Sequence, residues 1–228
     1  METFYETPEF FRNVLFTDES TFRKDGIINR YNRRYYRQEN PHWLGEKQYQ
    51  GRWSVNVWGG LLDDQVVGPY FFNEPLTANR YLHFLREVLP LLLENVNLEV
   101  RGRMWFQQDG APVHNTNDVT NFLRQTYGNR FIGNKGTAWY ENQIDGEGPI
   151  LWPPRSPDLS PLDYFFWGLV KDRVYATPCN TKEEMKNRIR EAFASVTVEM
   201  LRNTQNNFIK RANICLAAEG GIFEHMLK

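Results

Sequence analysis

The sequence predicts one α/β domain in which a mixed sheet is covered by helices. Three observations carry that reading. Strand-like runs cluster early and helical periodicities follow, the order expected of a sheet with helices packed on it. The 228 residues fit one large domain or two small ones at about 150 residues each. The composition is 41% hydrophobic and 15% aromatic, and a disordered chain is poor in both classes. The formal net charge of −1 excludes a highly basic tail-binder and an acidic solvating chain. Two cysteines, Cys179 and Cys215, are too few for a disulfide framework and suit a reducing compartment. The start METFYETPEF lacks the basic and apolar regions of a secretory signal. The longest apolar run lies near residues 88–93, far short of the ~20 residues a bilayer needs. A soluble intracellular protein without a membrane partner is the expectation.

Each element follows from periodicity. Residues 13–22 read as a strand, with Val14, Phe16 and Asp18 on one face and Leu15 and Thr17 on the other. Further strands are predicted over 27–36, 52–62 and 66–72, and a short one over 104–109. A helix over 77–95 carries Tyr81, Leu82, Leu85, Leu89, Leu92 and Leu93, with a kink expected at Pro90. Another covers about 115–127. Residues 133–150 hold four glycines and read as a surface loop. The next helix opens with Ser160 as N-cap and Pro161 at its first position. Two helices finish the chain. The first starts at a Thr181–Glu184 capping box and carries Met185, Ile189 and Phe193. The second carries Val198, Leu201, Phe208, Ile209 and Leu216 and ends at Gly220–Gly221.

Three aspartates are candidates for chemistry. Asp18 lies on the apolar face of its strand, where a lone carboxylate needs a charged or metal partner or must bend into solvent. Asp109 ends its strand and precedes Gly110, so taken alone it reads as a turn former. Asp163 sits in a first helical turn, where it can simply favour the dipole. Asp158 reads as a turn residue. Divalent ions such as Mg²⁺ want oxygen ligands, and two ions can clamp both oxygens of a phosphodiester exchange. Two strand ends and a helix start can bring such ligands to one sheet edge.

Four blocks then resemble the catalytic domain of mariner-type DNA transposases. They are LFTDESTF (15–22), NPHW with RWSVNVWGG (40–43 and 52–60), MWFQQDGAPVHN (104–115) and WPPRSPDLSPLDYFFWG (152–168). The resemblance extends to the final GGIFEHML. It implies an RNase H-like fold with a mixed five-stranded sheet flanked by helices. It also implies two Mg²⁺ or Mn²⁺ ions held by Asp18, Asp109 and Asp163, the last preferred over Asp158. A water activated at the ions nicks DNA at a transposon end, and the freed 3′-hydroxyl attacks target DNA. DNA is thus the implied partner, a homodimer a further expectation, and the nucleus the implied location. Two departures stand out. Asp109 and Asp163 are separated by 53 residues, more than the family usually shows, and the excess falls in 133–150. The family carries paired helix-turn-helix modules ahead of this domain, whereas 17 residues precede Asp18, so a catalytic domain alone is expected.

Other residues carry weaker signals. Glu19 has the opposite strand parity to Asp18 and reads as structural or supporting. His114 reads either as a contact to phosphate or a metal water, or as a helix-start histidine bonded to backbone. Arg30, Arg33, Arg34, Arg37, Lys47 and Arg52 interleave with Tyr31, Tyr35, Tyr36, Trp43 and Tyr49. This pattern suits a DNA-tracking face, or else a solvated hairpin with tyrosines on the core. Lys171, Arg173 and Lys210 are further candidates for phosphate contact. Trp58, Trp105 and Trp167 read as core. The alternative functions are a decayed or domesticated relative that binds DNA or a protein without catalysis, and a general RNase H-type nuclease.

Overall fold

The structure is a computed structural model and describes residues 8–24, 26, 53–133, 150–154 and 156–227. The predicted strand 27–36, the basic residues Arg30, Arg33, Arg34, Arg37, Lys47 and Arg52, and most of the predicted loop 133–150 lie outside the described residues.

Six strands form one mixed sheet: β1 (Val14–Arg23), β2 (Ser54–Leu62), β3 (Gln65–Phe72), β4 (Trp105–Gln107), β5 (Phe131–Gly133) and β6 (Ile150–Leu151), in the order β3-β2-β1-β4-β5-β6. β1 runs antiparallel to β2 and parallel to β4, so it lies inside the sheet. This is the mixed α/β sheet that the sequence pattern predicts and the RNase H-like fold that the family resemblance implies, with one strand more than the five expected. The extra strand is the two-residue β6, too short to show a period, pairing Ile150 with Ile132. Gly133 and Ile150, placed in the surface loop by sequence, therefore belong to strands.

Alternation on β1 divides the core as predicted. Val14, Phe16 and Phe22 face one apolar layer, while Leu15 faces the other. The first layer is built by three helices: α6 (Trp167–Val174), α7 (Lys182–Ala194) and α8 (Val198–Ala217). Thr181 caps α7 by accepting from the Glu184 N–H at 3.1 Å. Glu184 reaches back to the Asn180 N–H at 2.9 Å, one residue beyond a strict capping box. Met185, Ile189 and Phe193 are buried in the layer.

The second layer is built by α2 (Ala78–His83), α3 (Leu89–Leu92) and α5 (Asn117–Tyr127), with α4 (Leu98–Arg103) at its end. The helix predicted over 77–95 runs without a gap from Ala78 to Leu92 but carries one widened turn. A wide turn, Phe84–Val88, separates α2 from α3, and the Leu89 N–H bonds to the Phe84 carbonyl five residues back. Pro90 is the cause: it has no N–H for the carbonyl four residues earlier, and its ring crowds that carbonyl. The wider turn rotates the buried face. Leu82 and Leu92 become only half-buried, and Phe84, which the regular stripe omits, is fully buried.

Phe84 is the hub of this layer. Its ring meets those of Trp58 at 4.8 Å, Tyr70 at 5.0 Å, Phe72 at 5.7 Å and Tyr81 at 6.2 Å between centroids. Phe84→Ala should lower stability by about 3–5 kcal/mol through lost burial and the cavity left behind. Urea unfolding checks it, and a loss under about 1 kcal/mol would show that the layer collapses around the gap.

Candidate active site

Asp18 lies within β1, directly opposite Gly59 on β2. Its carboxylate points into the α6 layer, where Trp167 Nε1 donates to Asp18 Oδ2 at 2.7 Å. Gly59 makes that approach possible. A Cβ there would sit 3.2 Å from the Trp167 ring and 3.1 Å from Phe193. The bare glycine lets the indole lie flat over the strand and reach Asp18.

Asp163 enters the same region from the helix start. The Ser160 carbonyl accepts from Tyr164 N–H at 3.0 Å, closing the first turn with Ser160 and Pro161 in the predicted places. A wide turn, Leu162–Phe166, leads into α6, and Trp167 N–H bonds to the Leu162 carbonyl. Asp163 and Trp167 are four residues apart and share a helix side. Lys171, four further on, acts on both Asp163 and Asp18 and lies 5.8 Å from the centre of the Phe22 ring.

Asp109 stands two residues beyond β4, in a turn. Its Oδ1 accepts from Ala111 N–H at 3.0 Å and from His114 Nδ1 at 2.7 Å. Asn115 Nδ2 donates to the carbonyls of Gly110 and Ala111 and closes the turn. His114 Nε2 faces Glu19 Oε2 at 3.4 Å, an ion-pair distance. Glu19 thus occupies the opposite face from Asp18, as its parity predicts.

The acids influence one another unequally. Burial pushes the Asp18 carboxyl well above the usual range, and the charges of Asp163 and Glu19 add to it, against the Trp167 N–H. Burial also raises Asp163, with the Asp109 charge, while Ser160 and Lys171 pull it down. Asp109 moves the other way: burial would raise it, but the His114 hydrogen bond, the Ala111 N–H and the His114 charge outweigh that. Burial would lower His114, yet its bond to Asp109 and the facing Glu19 carboxylate push it up to about 10. Among the described residues no group of three or more His, Cys, Asp or Glu side chains is gathered to hold a metal ion. The donor set nevertheless fits a hard divalent cation. It consists of carboxylate oxygens from three separate segments, and two of the carboxyls are raised by one another's kind of charge.

Asp158 belongs elsewhere. Its carbonyl accepts from Arg211 on α8, and its charge acts on Cys215. His114 needs a correction. It was read as a DNA contact, but only 2% of it is exposed, and its ring packs on Tyr81 at 4.2 Å. Its bonding partners are carboxylates, so the backbone-bonded alternative also misses its role. Trp167, read as core, is buried at 3% exposure and also donates to Asp18. The spacing of four from Asp163 was the available signal.

Comparison with known proteins follows from this geometry. A family profile described as "DDE superfamily endonuclease" matches residues 13–186. The Tc3 transposase of Caenorhabditis elegans is 28% identical over 193 residues, covering 83% of this chain and 51% of that protein. The Tcb1 transposase of Caenorhabditis briggsae is 23% identical over 216 residues, covering 93% of this chain and 70% of that protein. The chain therefore spans about half the length of the Tc3 relative. The Mos1 mariner transposase catalytic domain superposes with a TM-score of 0.67 at 19% identity, covering 97% of this chain and 89% of that one. A pre-cleavage Mos1 transpososome gives 0.70 at 19%, covering 97% of this chain and 60% of that one. At such identity the likeness is one of fold. The mariner-type resemblance read from the four sequence blocks agrees with these matches.

Two substitutions separate the roles at Asp18. Trp167→Phe keeps the ring in the core but deletes a donor to a carboxylate, and should cost about 1.5–3 kcal/mol. Asp18→Asn keeps an acceptor for Trp167 and removes a charge that burial and neighbours oppose, so its melting temperature should hold or rise. Thermal melts of both variants test the pair. A large drop for Asp18→Asn would mean that the charge itself holds the fold.

Proposed function

The chain belongs to the DDE superfamily endonuclease family, and from that premise we propose that it cuts DNA at transposon ends and transfers the freed strand into target DNA. The observation that carries the reading is that Trp167, four residues after Asp163, holds Asp18, and that Asp163 acts on Asp18 and Asp109 on Asp163, although the three come from a strand, a helix start and a turn. The Mos1 catalytic domain, solved with Mg and with Mn, and Mos1 paired-end complexes support it by analogy of fold.

Asp18 and Asp109 would hold one divalent ion between them, and Asp163 a second. Bound Mg²⁺ or Mn²⁺ supplies positive charge that activates a water and neutralises the scissile phosphate. The protein's own part is positioning. Trp167 fixes Asp18 Oδ2 and leaves Oδ1 free of that bond. Ala111 and His114 fix Asp109 Oδ1 and leave Oδ2. Asp163, like Asp109, is open to solvent, so an incoming cation can reach both. Lys171, beside Asp163, offers a cation to the DNA backbone. Arg30, Arg33, Arg34, Arg37, Lys47 and Arg52 complete the proposal as a DNA-tracking face, read from sequence. A homodimer acting in the nucleus on paired ends belongs to the same proposal. A decayed, non-catalytic relative is not favoured, because the chain keeps all three acids and Trp167 and His114 hydrogen-bond two of them.

Asp109→Asn should retain the fold and lose Mg²⁺-dependent nicking of duplex DNA by at least about 100-fold, or roughly 2.7 kcal/mol of barrier. A nicking assay with a melt on the same sample measures both. Unchanged nicking would remove Asp109 from the reaction.

A further inference from the structure

We infer that His114 is a positioning residue: it ties the carboxylate of Asp109 to Glu19 on β1 and so sets the direction in which Asp109 offers its second oxygen to a divalent cation. The inference rests on the reading of Asp109 as a ligand. Asp109 lies past the end of β4, so no ladder bond fixes it. Its Oδ1 is held within the turn by Ala111 N–H, a local bond between residues two apart. A second restraint comes from His114 Nδ1 at 2.7 Å. A carboxylate in this pair can only accept, so the Nδ1 position carries the proton.

The imidazole is itself held on every side. Its ring stacks on Tyr81 with centroids 4.2 Å apart. The Tyr81 hydroxyl donates to Gln108 Oε1 at 2.9 Å, and Gln108 Nε2 donates to the His114 carbonyl at 3.1 Å. Nε2 faces Glu19 at 3.4 Å across the sheet interior. With 2% exposure and carboxylates facing both nitrogens, the ring has no route to a phosphate or a bulk water. What remains for it is to hold Asp109. Residues that hydrogen-bond a ligating side chain in this way orient the ligand, and their loss typically weakens metal binding 10–100-fold.

Mn²⁺ titration of the whole chain, read by the electron paramagnetic resonance of the free ion, tests this without any turnover. His114→Ala should weaken Mn²⁺ binding about 10–100-fold. His114→Asn, whose amide donates from near the Nδ1 position, should restore most of the loss. In an Asp109→Asn background His114→Ala should do nothing further, because a residue acting through Asp109 has no effect once that carboxylate is gone. Equal Mn²⁺ affinity in wild type and His114→Ala, both melting cooperatively, overturns the inference. If His114→Ala does not fold, Glu19→Gln takes its place: a smaller loss supports the tie across the sheet, and unchanged affinity overturns it. Absence of Mn²⁺ binding in the wild type removes the ligand reading itself, and the inference falls with it. Binding by wild type that is lost in Asp109→Asn keeps that reading whatever His114 does.

Discussion

Two consecutive carboxylates in an interior strand set the terms for the rest of the structure. β1 is paired with β4 up to Phe16 and with β2 through Asp18 and Glu19, so the backbone of both acids is held in the β2 ladder. The period of two sends them to opposite faces, each under a packed layer. A carboxylate in such a place requires a donor or a cation. On one face the donor is the Trp167 indole, admitted by the missing side chain of Gly59. On the other it is His114, backed by Tyr81 and Gln108. The helix start at Ser160–Pro161, the turn at Asp109 and the tyrosine on α2 all hold these two contacts.

Both layers contain a helix with one widened turn, and the causes differ. Phe84–Val88 widens ahead of Pro90, and the gain is packing: Phe84 swings into the ring cluster while Tyr81 stays over His114. Leu162–Phe166 has no proline within it. There the widening separates Asp163, exposed, from Leu162 and Phe166, buried on either side. Wide turns of this kind are frequent at functional sites, since they redirect one side chain without ending the helix. Here Asp163 can face outward although its immediate neighbours are locked into the core.

Periodicity and capping chemistry made much of this legible in the sequence. The alternation of Val14, Phe16 and Asp18 against Leu15 survives in the two layers, and so does the opposite placement of Glu19. Thr181 begins its helix with a side-chain cap, and Ser160 and Pro161 stand at the start of theirs. The failures share a cause: each depended on contacts between distant segments. β6 is too short to carry a period and exists only through pairing with β5. Phe84 escaped the regular stripe because its burial is decided by Trp58, Tyr70 and Phe72 on the sheet. His114 looked like a surface cation because nothing local shows that Tyr81, 33 positions earlier, covers it. Trp167 looked like simple core because its indole N–H finds a partner 149 residues away.

The acids are neutralised unevenly, and that unevenness indicates where a cation belongs. Glu19 and Asp109 share one imidazole whose nitrogens face both, which holds Asp109 below its ordinary range and lifts His114 to about 10. Asp18 and Asp163 have no such partner. Burial and mutual repulsion raise Asp18, and the positive charge that acts on both acids is that of Lys171. Burial lowers the Lys171 ammonium in turn, so it is an incomplete answer to two carboxylates. Neighbouring acids driven in opposite directions are a mark of sites built for chemistry, because a merely structural cluster gains nothing from leaving one member short of charge. The shortfall lies on the α6 face of β1, between the strand that carries Asp18 and the turn that carries Asp163. A divalent ion placed there would relieve the repulsion that Lys171 only partly offsets.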